Sequence, residues 1–344
     1  MDEFVKNMPK IELHAHLNGS LSNSTLGKLI ELKKKSQGSV DDSNLAFYHT
    51  FNSDDSLEKC FDKFKLAHDL VNSKEAVKLA LYCVIDEFSK ENVIYLEIRS
   101  APRATAFMSK EEYLQAIIDQ IISCKESHPT IMVKYLPSIN ISYGAKEAEE
   151  NYKLFYEFRD KYPDLICGMD LSGDPIKGKF TDVKKVFDQA RADGFRFAIH
   201  CAESLDENEI LEKLEFMVSG DRIGHGTFIE ESNTEIWNLF TSKHLPIELC
   251  LTSNVLCQSV KSYEDHHISR FIRKYPVMIC TDDYGVFSTS LTRELKICVD
   301  VFGLTKTELI DLTENANKYS FARSEERQLI SDKIEAFKAK AVLD

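Results

Sequence analysis

The sequence has no apolar stretch long enough to span a membrane, and its opening residues, MDEFVKNMPK, lack the apolar core of a signal peptide. Its nine cysteines contain no C-x-x-C pair, which argues against a disulfide framework or a cysteine zinc site. Basic residues are fewer than acidic ones, and the resulting net charge of −13 argues against binding a long nucleic acid. These absences predict a cytoplasmic protein with neither a membrane nor a nucleic-acid polymer as partner. A small anionic substrate held by a few local cations stays compatible with them.

No Pro- or Gly-rich linker divides the 344 residues, so we expect one domain over residues 1–344. Eight short apolar runs have the composition of strands, and the segments between them are mostly typical of helices, as at residues 73–91 and 109–126. The runs are IELHAHL, VIYLEIRS, IMVKYLPSIN, ICGMDLSG, RFAIHCAE, RIGHG, IELCLTSN and VMICTDD. Eight such units predict an α/β fold, a (β/α)8 TIM barrel with additional helices. Residues 38–55 form the loosest segment and are predicted to be an inserted loop over the end of the first strand.

Polar and apolar residues alternate within the predicted strands. Helices cover the outside of such a barrel, so the apolar face points outward and the polar face lines the interior. The inward sets are Glu12, His14, His16 and Asn18 in the first run, Tyr95, Glu97 and Arg99 in the second, and Glu248, Cys250, Thr252 and Asn254 in the seventh. A polar interior predicts a site sunk into the barrel mouth. For Glu12, Glu97 and Arg99, which lie early in their strands, we favour an internal salt-bridge network away from the mouth.

Barrel enzymes place their chemistry at the carboxyl ends of the strands. The residues at those ends are His14, His16, Asn18, residues 100–103, Gly173, His200, Glu203, His225, Asn254, Asp282 and Asp283. An H-x-H pair on one strand face, with a third histidine and an aspartate from other strand ends, suits one catalytic zinc ion with an open position for water. The fourth strand has no lysine that could bridge a second metal. We place His266 and His267 on a helix, where neighbours point apart, and assign them a structural or rim-lining role.

The motifs PKIELHAHLNGS, DLSGDP, HCAE, DRIGHGTF, LCLTSN and CTDDYGVFSTSL resemble the adenosine deaminase family of metal-dependent hydrolases, in particular its N6-methyl-AMP deaminase branch. The resemblance implies one zinc ion per chain, held by His14, His16, His200 and Asp282. It also implies that Glu203 protonates the purine ring nitrogen N1, and that His225 and Asp283 orient and deprotonate the water. The implied reaction is hydrolytic deamination at carbon six of a purine nucleotide, N6-methyl-AMP to IMP plus methylamine.

Adenosine-specific members of the family usually carry aspartate where this chain has Asn18, and an amide does not repel a 5′-phosphate. The resemblance implies substrate contacts from His16, Asn18, His68, Ser100, Ala101, Pro102, Arg103, Asn140, Gly173 and Asp283. His68 is alternatively an ordinary helix-face histidine. Two departures affect the phosphate site: Ala101 replaces a usual threonine, and residues 140–142 replace a usual Asp-Arg-Arg run. Lys65 and Arg103 are then candidates to hold the phosphate.

Three alternatives stay open at this point. A plain adenosine deaminase would keep the chemistry and lack the phosphate contacts. A phosphoesterase of another histidine-rich barrel family also begins with H-x-H, but those chains usually finish with D-x-H rather than TDD. A non-catalytic purine-binding homologue would lack catalytic residues, yet each expected position is occupied. The sequence does not determine the oligomeric state, and a monomer is compatible with it.

Overall fold

A computed structural model describes residues 1–38, 57–174 and 176–341, and it contains the eight predicted strands as one parallel sheet. Each strand pairs with the next in chain order. The strands are β1 (Lys10–His16), β2 (Val93–Ser100), β3 (Met132–Asn140), β4 (Met169–Ser172), β5 (Phe197–Cys201), β6 (Arg222–His225), β7 (Ile247–Leu249) and β8 (Val277–Ile279). The residues after β8 return to β1 through a bridge between Ala15 and Asp282, which closes the sheet. The predicted single-domain (β/α)8 barrel is confirmed.

Helices surround the sheet. They are α1 (Asp2–Asn7), α2 (Asn23–Gln37), α3 (Leu57–Leu70), α4 (Lys74–Lys90), α5 (Lys110–Ser127), α6 (Gly144–Lys161), α7 (Phe180–Ala192), α8 (Glu207–Phe216), α9 (Thr234–Lys243), α10 (Leu251–Leu256), α11 (Ile268–Phe271), α12 (Leu291–Phe302), α13 (Lys306–Tyr319) and α14 (Ser324–Lys338), with a 3-10 turn at Ile141–Tyr143. The helices predicted at 73–91 and 109–126 are confirmed as α4 and α5. Ser73 caps α4 by accepting a hydrogen bond from the Ala76 N–H, and Ser109 forms a capping box with Glu112 at the start of α5.

The barrel interior holds the predicted salt-bridge network, which includes more residues than expected. Arg222 contacts Glu97 and Glu248, each at 2.5 Å, and Arg99 contacts Glu248 at 3.0 Å. All these side chains are fully buried, and buried charges are tolerated only with such partners. The prediction is wrong for Glu12, because its carboxylate accepts hydrogen bonds from the backbone N–H of His14 and from Thr281 and has no ion pair within the described ranges.

Two local predictions at the barrel mouth are wrong. Strand β7 ends at Leu249 and α10 begins at Leu251, so the strand alternation does not continue to Asn254. His266 and His267 precede α11 instead of lying on a helix, and their rings stack with centroids 4.2 Å apart and planes 20° apart. The turn therefore directs both imidazoles the same way, where helical neighbours would diverge.

Two further expectations concern the periphery. The inserted loop predicted at residues 38–55 lies outside the described residues except for Gly38, which ends α2 with a φ of 82°. None of the helices in the described ranges is long and apolar enough to cross a membrane.

Candidate active site

Four side chains converge at the carboxyl end of the barrel. His200 Nε2 lies 3.1 Å from His14 Nε2 and 3.2 Å from His16 Nε2, and Asp282 Oδ1 lies 3.4 Å from both of those nitrogens on β1. Donors about 2.1 Å from a tetrahedral zinc ion stand about 3.4 Å apart, so these spacings fit the edges of such a site. The four residues could hold one metal ion.

The backbone explains how residues from three parts of the chain meet. His14 and His16 leave β1 on the same face, because side chains alternate along a strand. The Asp282 N–H donates to the His14 carbonyl at 2.8 Å, and the His16 N–H donates to the Asp282 carbonyl at 3.0 Å. These two bonds hold Asp282 between the histidines. Residue 282 has a φ of 60°, so the chain turns there and Asp283 need not follow the alternation of a strand.

Two buried carboxylates support the histidines from behind. Glu248 Oε2 lies 2.7 Å from His14 Nδ1, and Asp170 Oδ1 lies 3.3 Å from His200 Nδ1. Arg99 lies between them and contacts Asp170 at 2.8 Å and Glu248 at 3.0 Å. Carboxylates in this position fix the tautomer and orientation of metal-binding imidazoles. Arg99 is therefore next to the site, contrary to the expectation that it lies away from the mouth.

Neighbouring arginines set the charge state of the two supporting carboxylates, Glu248 and Asp170. Burial alone raises the pKa of a carboxyl group, but Arg99 and Arg222 hold the pKa of Glu248 well below its ordinary value. Burial is likewise outweighed at Asp170, where Arg99 holds the pKa well below the usual range. Both groups are carboxylates near neutral pH. Glu248 forms a hydrogen bond with the His14 imidazole, and Asp170 lies within ion-pair distance of His200 Nδ1, which has no hydrogen-bond partner among the described residues. Sequence reasoning did not assign them a role, although the inward alternation of β4 and β7 was the signal that could have done so.

Glu203 and His225 lie beside the four donors. His225 Nε2 is 3.6 Å from Glu203 Oε1 and 3.9 Å from Asp282 Oδ2. Burial lowers the pKa of His225 to about 4, so the imidazole is neutral near pH 7. The Nε2 of His267 lies 3.0 Å from the His225 carbonyl, and the His225 ring also contacts Asn254. The stacked pair of His266 and His267 therefore supports His225. Of the two roles predicted for the pair, structural and rim-lining, this contact fits the structural role.

Three strand ends at this face leave their strands in the left-handed backbone conformation. The φ values are 57° at Ala202 after β5, 63° at His225 at the end of β6, and 60° at Asp282 after β8. Such conformations cost non-glycine residues of the order of 1–3 kcal/mol each and persist where the surrounding structure holds them. All three lie at the same end of the barrel as the donor cluster.

Buried oxygen atoms near β1 that have no hydrogen-bond partner among the described residues include Asn18 Oδ1, Ser20 Oγ and Asp283 Oδ1. Asp283 packs against Gly19, where an added Cβ would lie 1.5 Å from Asp283 Oδ1, so only glycine fits there. Burial and the neighbouring Asp282 carboxylate raise the pKa of Asp283 well above its ordinary value. Buried acceptors without protein partners are available to a ligand.

The other predicted substrate residues form two groups. The guanidinium of Arg103 donates to the carbonyls of His68 and Val71, so this predicted phosphate cation is engaged with α3 and the residue after it. The side chain of His68 is exposed, Ala101 is half-buried, Pro102 is buried, and Ser100 contacts the Tyr135 hydroxyl at 3.1 Å. Lys65 is exposed and pairs with Asp62.

Asn140 and Gly173 form the second group. A Cβ at residue 173 would lie 2.3 Å from Asn140 Oδ1, and its φ is 109°. Glycine is therefore required there by the protein itself, whatever the ligand. The Asn140 side chain accepts a hydrogen bond from the Ser142 N–H at 2.9 Å.

Comparison with known proteins agrees with this architecture. The family model for adenosine deaminase matches residues 9–337. An adenosine deaminase-like protein of Drosophila pseudoobscura pseudoobscura is 43% identical over 98% of both chains. The human N6-methyl-AMP deaminase is 36% identical over 96% of this chain and 94% of its own. The Arabidopsis ADAL protein complexed with IMP superposes with a TM-score of 0.88 at 32% identity, covering 99% of this chain and 100% of that one. The chain thus belongs to the adenosine deaminase family and is a hydrolase that acts on the C–N bond of an aminopurine.

Proposed function

We propose that this protein catalyses the metal-dependent hydrolysis of N6-methyl-AMP, with water, to IMP and methylamine. The observation that carries the proposal is the cluster of His14, His16, His200 and Asp282, with Glu203 and His225 beside it. The human relative named N6-methyl-AMP deaminase and the IMP complex of the Arabidopsis relative support a nucleotide as the substrate. Family membership argues against the phosphoesterase alternative, and a plain adenosine deaminase is the second candidate.

We propose zinc as the metal, one ion per chain, because three imidazole nitrogens with one carboxylate are donors that zinc favours. When bound, the metal ion supplies a Lewis acid that lowers the pKa of water toward neutrality. Glu248 and Asp170 hold the His14 and His200 rings with their Nε2 atoms toward the shared centre. The protein thereby presents its donors already oriented.

The remaining steps belong to side chains of this chain. Glu203 protonates the ring nitrogen N1, which makes carbon six electrophilic. His225, neutral near pH 7, and Asp283 orient the attacking water and accept its proton. The tetrahedral adduct then expels the amine, which takes up the proton held by His225 and Asp283. Loss of the hydroxyl proton from the adduct leaves the 6-oxo purine and restores the Glu203 acid. Asn18, with its buried unpartnered oxygen, contacts the sugar end of the substrate.

A direct substrate comparison tests the proposal. The zinc-loaded protein is incubated with N6-methyl-AMP, AMP and adenosine, and deamination is followed by the loss of absorbance. We expect the highest kcat/KM with N6-methyl-AMP. A preference for adenosine would instead establish the nucleoside deaminase, and no turnover of any of the three would contradict both candidates.

Asn18 provides a test of nucleotide preference. Replacing it with aspartate adds a negative charge near the expected phosphate. Two unit charges about 5 Å apart, in an effective dielectric of about 20, repel each other by about 3 kcal/mol before screening by salt. After screening, we expect kcat/KM for N6-methyl-AMP to fall about ten- to thirtyfold, with adenosine analogues spared. Increasing salt should narrow the difference.

The control is Asn238→Asp, which adds the same charge at an exposed position on α9 and should leave both substrates unaffected. An equal loss on nucleotide and nucleoside in Asn18→Asp would show that Asn18 supports the metal site and does not sense the phosphate.

Glu248 provides a test of the supporting carboxylates. Glu248→Gln removes the negative charge 2.7 Å from His14 Nδ1, so we expect the affinity for zinc to fall about ten- to a hundredfold. The free energy of unfolding should also fall by about 3 kcal/mol, because the buried Arg99 and Arg222 lose a partner. Competition with a chelator measures the affinity, and chemical denaturation measures the stability.

The control for this variant is Glu230→Gln, which removes a half-buried surface carboxylate paired with the exposed Arg270. It should change neither quantity measurably, because exposed ion pairs contribute little. A folded Glu248→Gln protein with unchanged zinc affinity would contradict the positioning role.

The cytoplasmic location and the lack of a membrane or nucleic-acid partner stay predictions from the sequence, and so do the domain bounds 1–344.

A further inference from the structure

A cavity of about 370 Å³ lies at the end of the barrel opposite the donor cluster. Its walls come from the start of β3, the segments that precede β4 and β5, and the segment from the end of α13 into α14. The amino ends of parallel strands share one face, and the active site lies at the other. The cavity is therefore separate from the site described above.

The charged residues of the cavity are unevenly paired. Its lining includes the basic residues Lys134, Arg159, Arg196 and Arg323 and the acidic residues Asp160, Asp164 and Glu326. Lys134 pairs with Glu326 at 2.5 Å, and Arg323 pairs with Asp164 and Glu326. Arg159 and Arg196 have no carboxylate oxygen within 4 Å in the described part of the chain, and the exposed Asp160 is the one lining acid left to oppose them. In a chain with a net charge of −13, this cavity carries a local positive excess.

Aromatic rings orient the two arginines. The guanidinium carbon of Arg159 lies 3.9 Å from the ring centroid of Phe195, and that of Arg196 lies 4.6 Å from the ring centroid of Phe321. Arg196 also donates to the Phe321 carbonyl. A guanidinium placed over an aromatic ring can still bind phosphate oxygens through its N–H groups. Arg196 has N–H groups besides the one that donates to Phe321.

We propose that this cavity binds a small phosphate monoester. Two guanidinium groups without carboxylate partners match the nearly double negative charge of a phosphate monoester near neutral pH. Phe195, Phe321 and Ile166 also line the cavity, and their small exposed surfaces are the apolar part of its wall. The volume is within the range of about 300–1,000 Å³ common for small-molecule sites.

The test uses full-length, zinc-loaded protein labelled with 15N-arginine. Phenyl phosphate, inorganic phosphate and phenol are titrated separately, and the Nε–Hε signals of Arg159 and Arg196 are followed. We expect saturable shifts of both signals with phenyl phosphate, weaker binding of inorganic phosphate, and no effect of phenol. Arg159→Gln and Arg196→Gln should each weaken the binding of phenyl phosphate at least about tenfold.

The control is Arg293→Gln, which removes an exposed arginine that also has no carboxylate within 4 Å among the described residues and lies outside the cavity. It should bind phenyl phosphate like the unmodified protein. Arg196 donates a hydrogen bond to the Phe321 carbonyl, so Arg196→Gln could lose binding because it folds poorly. Circular dichroism measures whether each variant is folded, and Arg196→Lys keeps a cationic donor at this position. Unshifted Arg159 and Arg196 signals, or equal affinity in a folded Arg159→Gln variant, would overturn the proposal.

Discussion

Replacing Glu203 with glutamine is expected to lower kcat by at least about a hundredfold, while zinc content and substrate binding stay near those of the unmodified protein. The Glu203 side chain is 26% exposed at the barrel mouth and lies 3.6 Å from His225, so it can reach a bound purine. Glutamine keeps the shape and hydrogen-bonding capacity of the side chain but cannot deliver a proton to N1. Steady-state kinetics with N6-methyl-AMP, together with metal analysis, measure the effect.

The matched control is Glu215→Gln, at an exposed position near the end of α8. It should turn over at a near-normal rate. Near-normal turnover in Glu203→Gln would remove Glu203 from the mechanism. A Glu203→Gln protein that lost its metal as well would assign the residue to the metal site instead.

Removing the metal is expected to reduce activity below about one per cent, because no side chain here replaces a Lewis acid for activating water. One equivalent of zinc per chain should restore the activity.

The variant His200→Gln should lose tight zinc binding, since His200 Nε2 lies 3.1 Å from His14 Nε2 and 3.2 Å from His16 Nε2. Elemental analysis and chelator titration give the stoichiometry and affinity.

The control for this experiment is His128→Gln. His128 pairs with Asp86 through Nε2 at 3.3 Å and is not part of the donor cluster, so its loss should leave zinc content unchanged. Two tightly bound metal ions per chain, or full activity after complete chelation, would falsify the mononuclear proposal.

Much of the barrel was predictable from the sequence because the signals involved are local. Alternation with a period of two is a property of the strand itself, so the common face of His14 and His16 follows from their spacing. The helices α4 and α5 were predictable for the same reason, since Ser73 and Ser109 cap them through residues three positions along the chain.

The errors arose where a distant part of the chain decided the local conformation. Glu12 was assigned to the salt-bridge network from its charge, but its carboxylate accepts hydrogen bonds from the nearby His14 N–H and from Thr281, which lies beyond β8. His266 and His267 were placed on a helix, yet they lie in a turn where they contact Asn254 and the His225 carbonyl. Such partners are far apart in sequence, so no local pattern contains them.

The sequence by itself determined the strand segments, the alternation of polar and apolar residues along them and the pair of histidines on β1, because each depends on residues only a few positions apart. Only the tertiary structure decided the position of Asp282. Its left-handed backbone is unfavourable in isolation, and the hydrogen bonds to His14 and His16 across the closing sheet offset that cost. The pairing of Glu248 with His14 likewise requires β7 and β1 to meet across the barrel, which depends on closure of the whole sheet.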